Sequence, residues 1–213
     1  MRTQESKVGL LTDLIAGARK AGADAADAII FESESLSVSW RLGKKEGVER
    51  EESHDLGLRT LVGKGQAIVS STDLKTSTLQ DLIDRAITMA RNAPADPYCE
   101  IPSTESSSIT QTDLELYDPI EISPEDLFDL AAETEDAARS VVGVTNSEGA
   151  EATKNKGHIA LASSTGFAAE YSITNFGASV SVIAGQDTAM ERDYEYSSTR
   201  FFEDLMTPSA IGK

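Results

Sequence analysis

The two histidines of this chain, His54 and His158, are the first residues to weigh for chemistry. His54 is followed by Asp55-Leu56-Gly57-Leu58-Arg59, so no second imidazole lies one helical turn away. His158 sits in an alternating segment whose same-face neighbours are Ala160 and Ala162. A hydrolytic zinc helix needs two imidazoles on one face and a carboxylate to activate water. The spacing therefore assigns no metal ligand. Cys99, the single cysteine, lies in a proline-rich stretch with no histidine near it in sequence, and it reads as an ordinary thiol. There is no Gly-x-Ser-x-Gly elbow. Gly57 to Gly65 superficially resembles a phosphate loop. It has one intervening residue too many, and Gly65 stands where a magnesium-binding hydroxyl is required. No catalytic residue is assigned on these grounds.

Glu191-Arg192-Asp193-Tyr194 is denser in chemical potential. In a strand, Glu191 and Asp193 share one face while Arg192 and Tyr194 share the other. Such an edge suits peptide binding or an interface. A charged edge strand with local ion pairs accounts for the same residues.

Charge limits the partners. The chain has 36 acidic and 19 basic side chains and a formal net charge of −17. Duplex binding needs basic groups to displace counterions, and docking on an anionic bilayer needs them too, so direct nucleic-acid and membrane binding are not expected. Between Arg91 and Arg139 there is no Lys or Arg, while 13 Asp and Glu residues occur. That block reads as an acidic contact surface or as a solvated face. At 39% hydrophobic residues the chain can bury a core. One cysteine, no secretory leader and no apolar run of membrane-spanning length give cytoplasmic localisation as the expectation.

These residues must be positioned by short elements. Val8, Leu11, Leu14, Ile15 and Ala18 predict a helix over Lys7 to Ala21, with Ser6 as N-cap and Gly22 as stop. Strands are predicted at Ala25 to Glu32 and Ser35 to Arg41, where Leu36, Val38 and Trp40 face one way. Lys44 to Glu52 reads as a turn and an exposed edge-like strand. Asp55 to Val62 and Gln66 to Ser71 flank a Gly63-Lys64-Gly65 hairpin turn. A second helix buries Leu79, Leu82, Ile83, Ala86, Ile87 and Ala90 and ends before Pro94. Pro94 to Ile122, including the Ser103-to-Thr112 polar run, reads as a connector. Ser123-Pro124-Glu125-Asp126 starts a third helix running to Arg139.

Five short strands are predicted after it: Val141 to Asn146, Ala150 to Asn155, His158 to Ser163, Phe167 to Thr174 and Ala178 to Ile183. Glu148-Gly149, Lys156-Gly157, Thr165-Gly166 and Gly177 separate them as hairpin-like punctuation. Met190 to Tyr196 adds a further strand, and Phe201 to Met206 is too short to assign. The order predicts an α+β fold with mainly antiparallel sheets, about three amphipathic helices and a strand meander in the second half. The expected organisation is an N-terminal α+β region (1–93), an acidic proline-rich connector (94–122) and a helix-plus-strands region (123–213).

Several segments, taken in order, resemble the TldD/PmbA family. They are the alternation from Asp27 to Trp40, then Gly57-Leu58-Arg59, then Ser70-Ser71-Thr72-Asp73-Leu74. Thr145-Asn146-Ser147-Glu148-Gly149 resembles the family's TN-EG segment, and Ser163-Ser164-Thr165-Gly166-Phe167 its NS-G turn. Met190-Glu191-Arg192-Asp193-Tyr194 resembles the MERDY segment of the PmbA (TldE) branch. The resemblance implies a subunit of a heterodimeric, zinc-dependent peptidase that trims unfolded or extended peptides, a family also known as modulators of DNA gyrase. The family's His-Glu-x-x-x-His motif belongs to the TldD branch and lies beyond the matched region. Relatives are about twice as long, so truncation before a carboxy-terminal half is the expectation.

The expected function is therefore that of the amino-terminal region of a PmbA/TldE-like subunit. It would pair with a TldD-like subunit, or with a second copy of itself, and help bind an extended peptide. Zinc is expected in the TldD-like partner and no cofactor in this chain. The alternative is a non-enzymatic acidic regulator that binds DNA gyrase or another nucleic-acid enzyme.

Overall fold

The computed structural model describes residues 6–102 and 114–213. In chain order the elements are α1 (Lys7–Lys20), β1 (Ala25–Arg41), β2 (Lys44–Val62), β3 (Gly65–Ser71), α2 (Thr76–Asn92), α3 (Pro124–Arg139), β4 (Val144–Ser163), β5 (Ala168–Ala184), β6 (Glu191–Thr199) and α4 (Pro208–Ile211). Short 3₁₀ turns occupy Asp187–Ala189 and Phe202–Asp204. The strands form a six-stranded antiparallel sheet in the order β3-β2-β1-β4-β5-β6. With three helices of any length and strands dominating the second half, the fold is α+β, as expected.

Contacts divide the chain into two compact units. The first holds Met1–Glu32, Ser53–Asp113 and His158–Tyr171. Its core is built by alternation. Ala26, Ala28 and Ile30 of β1, Leu56 and Leu58 of β2, Val69 of β3, and Ala160 and Ala162 of β4 point one way. Leu11, Leu14, Ile15 and Ala18 of α1 pack there, with Leu79, Leu82, Ile83, Ala86 and Ile87 of α2. Each buried Leu or Ile contributes about 1.5–3 kcal/mol of transfer free energy. The six buried positions of α2 are the six that the periodicity selects. Ser6 occupies the N-cap position of α1, but its hydroxyl makes no capping bond. Asp73 organises the start of α2 instead. Its carboxylate accepts from the Lys75 N–H at 3.1 Å and from the Thr78 hydroxyl at 3.0 Å. The Lys75 N–H bond is the main reason its pKa lies below the usual aspartate range.

The β2–β3 hairpin pairs Val62 with Gly65, so its turn is Gly63-Lys64. Gly65 is required by space: a Cβ there would strike the backbone carbonyl of Ala90 on α2. On the face opposite the helices, Arg59 pairs with Asp27, and that hydrogen-bonded pair raises the guanidinium pKa.

The second unit holds Ser33–Glu52, Leu114–Gly157 and Ser172–Lys213. Its core packs Leu127, Phe128, Ala131 and Ala138 of α3 and Ile211 of α4 on Val38, Ala150, Ala152, Ala178 and Val180 of the strands. The small alanines on β4 let the helix approach closely. The α3 start is a capping box: the Ser123 hydroxyl accepts from the Asp126 N–H, and the Asp126 carboxylate accepts from the Ser123 N–H. Pro124 stands in the first turn, where its missing N–H costs nothing.

Four sequence expectations are corrected. Ala25 to Glu32 and Ser35 to Arg41 are not two strands but the single β1, and Lys44 to Glu52 and Asp55 to Val62 are one continuous strand, β2. The five short strands after α3 are two long ones, β4 and β5. Only Thr165-Gly166 makes a turn between them; Glu148-Gly149, Lys156-Gly157 and Gly177 lie inside strands. Gly149 keeps its place in β4 with φ +116°, where a Cβ would sit 3.1 Å from the Trp40 carbonyl oxygen. A glycine with positive φ inside a strand marks close backbone approach or a bulge as readily as a turn.

The connector has no helix or strand over 94–102 and 114–122, and the Ser103-to-Thr112 run lies outside the described residues. Its second part is anchored within the second unit. The Asp118 N–H donates to the Thr174 hydroxyl at 2.9 Å, and the Phe202 N–H donates to the Asp118 carboxylate at 2.9 Å. Lys154 reaches Glu121 at 3.1 Å. That ammonium is the leading reason the exposed Glu121 carboxyl titrates below the usual glutamate range.

Candidate interaction surface on β6

The four residues singled out by their chemistry lie on β6, the terminal strand of the sheet order. Its register against β5 sets the faces. Arg192 stands opposite Ile183, Asp193 opposite Val182, Tyr194 opposite Ser181, and Glu195 opposite Val180. Directly opposed residues share a face. Val180 belongs to the core under α3, so Asp193 and Glu195 flank that side. Arg192 and Tyr194 lie on the other face, with Ser179 and Ser181.

On that face the chain builds a three-member polar set. Arg192 Nε lies 2.6 Å from Glu148 Oε2 and donates to Ser181 Oγ at 3.1 Å. The Ser181 hydroxyl donates to the same Glu148 oxygen at 2.7 Å. The arginine and glutamate side chains are 64% and 40% exposed, so solvent screens the pair and it contributes at most about 1 kcal/mol. Its consequence is geometric: the guanidinium is held over the strand face. Beside it opens a shallow cavity of about 400 Å³, lined by Arg192, Tyr194, Glu148, Ser181, Glu46 and Trp40 among others. A cavity with a guanidinium, a phenol, carboxylates and serine hydroxyls can hydrogen-bond a peptide backbone and polar side chains.

Sequence spacing separates Arg192 and Tyr194 from Glu191 and Asp193, and the structure places the two pairs on opposite faces in that way. It also adds Glu148, Ser181, Glu46 and Trp40, none of which the sequence pattern assigns to an interaction surface. The sequence pattern makes Glu148 part of a turn. Only the β4–β5–β6 order brings it beside Arg192.

The remaining candidates belong to the first unit. His158 lies 3.6 Å from Glu170 in the first unit. Cys99 is buried there, close enough to Arg59 to help raise its pKa. Among the described residues, no group of three or more His, Cys, Asp and Glu side chains is placed to hold a metal ion. The described donor set of this chain does not fit a zinc centre, and no chemical step is derived through one. Among the described residues, no helix is long and apolar enough to cross a membrane.

Comparison with known proteins places the chain. Residues 26–90 match the family model described as PmbA/TldA metallopeptidase domain 1, and residues 117–213 match the PmbA/TldA metallopeptidase central domain. The chain belongs to the PmbA/TldD family. Metalloprotease PmbA of Escherichia coli O157:H7 is 32% identical over 190 residues, 89% of this chain and 42% of that protein. The Metalloprotease PmbA homolog of Haemophilus influenzae is 32% identical over 197 residues, 92% of this chain and 44% of its own length. The family assignment therefore falls on the PmbA/TldE branch. The chain spans less than half the length of these relatives.

Solved structures show the same fold. A Bacteroides thetaiotaomicron protein labelled a modulator of DNA gyrase superposes with a TM-score of 0.87 at 22% identity, covering 100% of this chain and 48% of that one. TldE from Thermococcus kodakarensis gives 0.77 at 13% identity, covering 95% of this chain and 45% of that one.

Proposed function

We propose that this chain is the amino-terminal region of a PmbA/TldE-type subunit that pairs with a TldD-like zinc metallopeptidase and helps hold extended peptides for cleavage. The observation that carries this reading is the ordered match of both family domains to a chain whose terminal strand presents an exposed polar edge beside a cavity. Sheet edges bind extended peptides through backbone hydrogen bonds and so tolerate varied sequences, which suits a peptidase acting on unfolded segments. Zinc, supplied by the partner, would furnish the hydrolytic chemistry. The residues of this chain would contribute binding and orientation.

The test is reconstitution. The protein is mixed with the TldD-like subunit of the same organism, and cleavage of an unfolded peptide is followed with and without a chelator. Stable association and chelator-sensitive cleavage that depends on both components are expected. No complex and no effect on cleavage would defeat the proposal.

The net charge of −17 favours a second reading, an acidic regulator that occupies a basic groove of DNA gyrase. A pull-down with gyrase at low salt separates the two: retention that fades with salt supports the regulator, and no retention removes it.

A further inference from the structure

Strand β6 carries an unusual treatment of the edge that faces no other described strand. In an antiparallel ladder, alternate residues turn their N–H groups to the neighbouring strand and outward. Tyr194 and Tyr196 are two apart and so of one parity. Their backbone N–H groups donate to side chains of the residues just before them: Tyr194 to the Asp193 carboxylate at 2.9 Å, and Tyr196 to the Glu195 carboxylate at 2.8 Å. That places both N–H groups on the side away from β5, each covered by a neighbouring acid. Every residue from Glu191 to Tyr196 is exposed, and only at Ser197 does the strand become buried.

The charges on this edge are unbalanced. Glu191, Asp193 and Glu195 alternate along one face, at a spacing of roughly 7 Å. Among the described residues none of the three has a cationic side chain within ion-pair distance; Arg192, on the opposite face, is committed to Glu148 and Ser181. An extended chain lying antiparallel or parallel to β6 presents every second side chain to that row at the same spacing. Lysine or arginine at those positions would meet the acids one for one. The exposed rings of Tyr194 and Tyr196 would receive the intervening side chains on the other face.

We propose that β6 accepts an extended cationic peptide as an added strand. The incoming lysines or arginines draw the carboxylates of Asp193 and Glu195 off the N–H groups of Tyr194 and Tyr196, which then donate to the peptide's carbonyl oxygens. The same acids leave other extended chains bound more weakly. A neutral strand finds the donors taken, and an acidic one is repelled. Edges closed by charge are a known protection against sheet-to-sheet aggregation; here the closure opens to one charge pattern. The proposal deepens the peptide-binding reading above and relies on it only for biological use, because binding is measured on this chain alone.

The probe is a capped ten-residue peptide alternating lysine and threonine. Its controls are the glutamate–threonine counterpart, a same-composition peptide with its lysines in one block, and the alternating peptide N-methylated along its bonding edge. Fluorescence anisotropy reads binding, and amide exchange locates it. The alternating lysine peptide should bind and slow exchange at Tyr194 and Tyr196, while the three controls bind more weakly.

Removing charge at Asp193 and Glu195 (Asp193→Asn with Glu195→Gln) should weaken binding roughly fivefold, at about twofold or somewhat more per exposed ion pair. Tyr196→Pro removes one outward donor and should weaken it further. If that variant misfolds, the N-methylated peptide makes the same test on the unaltered protein. Equal binding of the blocked or N-methylated peptide, or protection mapping away from β6, overturns the proposal. Reconstitution with a TldD-like partner is scored separately, so the edge can bind while the pairing fails, and the reverse.

Discussion

Replacing Glu135 with alanine tests how the hairpin that borders the cavity is held. Glu135 is fully buried on α3, and its carboxylate takes the Leu42 N–H at 2.8 Å and the Gly43 N–H at 3.1 Å. Those two residues are the β1–β2 turn, with φ of 49° and 77°. Both being positive, the turn has the twist that suits a two-residue hairpin, but a leucine resists that conformation. The carboxylate clamps it in place. Losing a charged acceptor from two backbone donors costs about 1 kcal/mol each once water reaches the exposed turn. Losing the one buried γ-methylene adds about 0.8 kcal/mol. Relief of the carboxylate's own desolvation offsets part of this. We expect Glu135→Ala to cost about 2–3 kcal/mol, and at about 2–4 °C per kcal/mol to lower Tm by about 4–12 °C.

Glu135→Gln keeps one acceptor oxygen and should fall near half of that. Arg139 sits 3.9 Å from the carboxylate and is 41% exposed, so Arg139→Ala should cost less than about 0.5 kcal/mol. Urea titration followed by circular dichroism measures the stabilities, and amide exchange reads Leu42 and Gly43 directly. A Glu135→Ala protein within about 0.5 kcal/mol of the original, with unchanged exchange at those two amides, would refute the clamp.

Two further outcomes follow from the same geometry. Leu42→Asn places a residue tolerant of positive φ before Gly43 and should stabilise the protein by roughly 0.5–1 kcal/mol, seen as a higher urea midpoint. The Asp126 carboxyl, held below the ordinary aspartate range by the Ser123 hydroxyl and then by its N–H, stabilises the start of α3 in its charged form. A depressed folded pKa means that this contribution is complete above the ordinary aspartate value and is lost as pH falls through the lowered one. Protection factors of the amides in the first turn of α3, taken against the intrinsic exchange rate at each pH, should therefore fall in acid, and Asp126→Asn should flatten that dependence.

Much of the local structure was legible from residue order. The α2 face needed only three- and four-residue steps, because any helix with that pattern must bury the same stripe. The capping box of α3 was legible from Ser123-Pro124-Glu125-Asp126, since both reciprocal bonds span three residues. The faces of β6 followed from the period of two. The family resemblance is carried by ordered short segments and needs no tertiary contact.

Strand length and the cavity did not follow from residue order. Glu148-Gly149 and Gly177 carry the composition of turns, yet both lie within long strands. Gly177 leaves no room for a Cβ because the Thr153 hydroxyl sits 2.8 Å from where it would be. Glycine permits reversal and close passage alike, and only the neighbouring strand decides which is used. Glu148, Ser181 and Arg192, separated by 33 and 11 residues, meet because β4, β5 and β6 lie side by side in one register. A period of two names the face of each side chain. Which strand lies alongside is set by long-range pairing, and no local pattern encodes it.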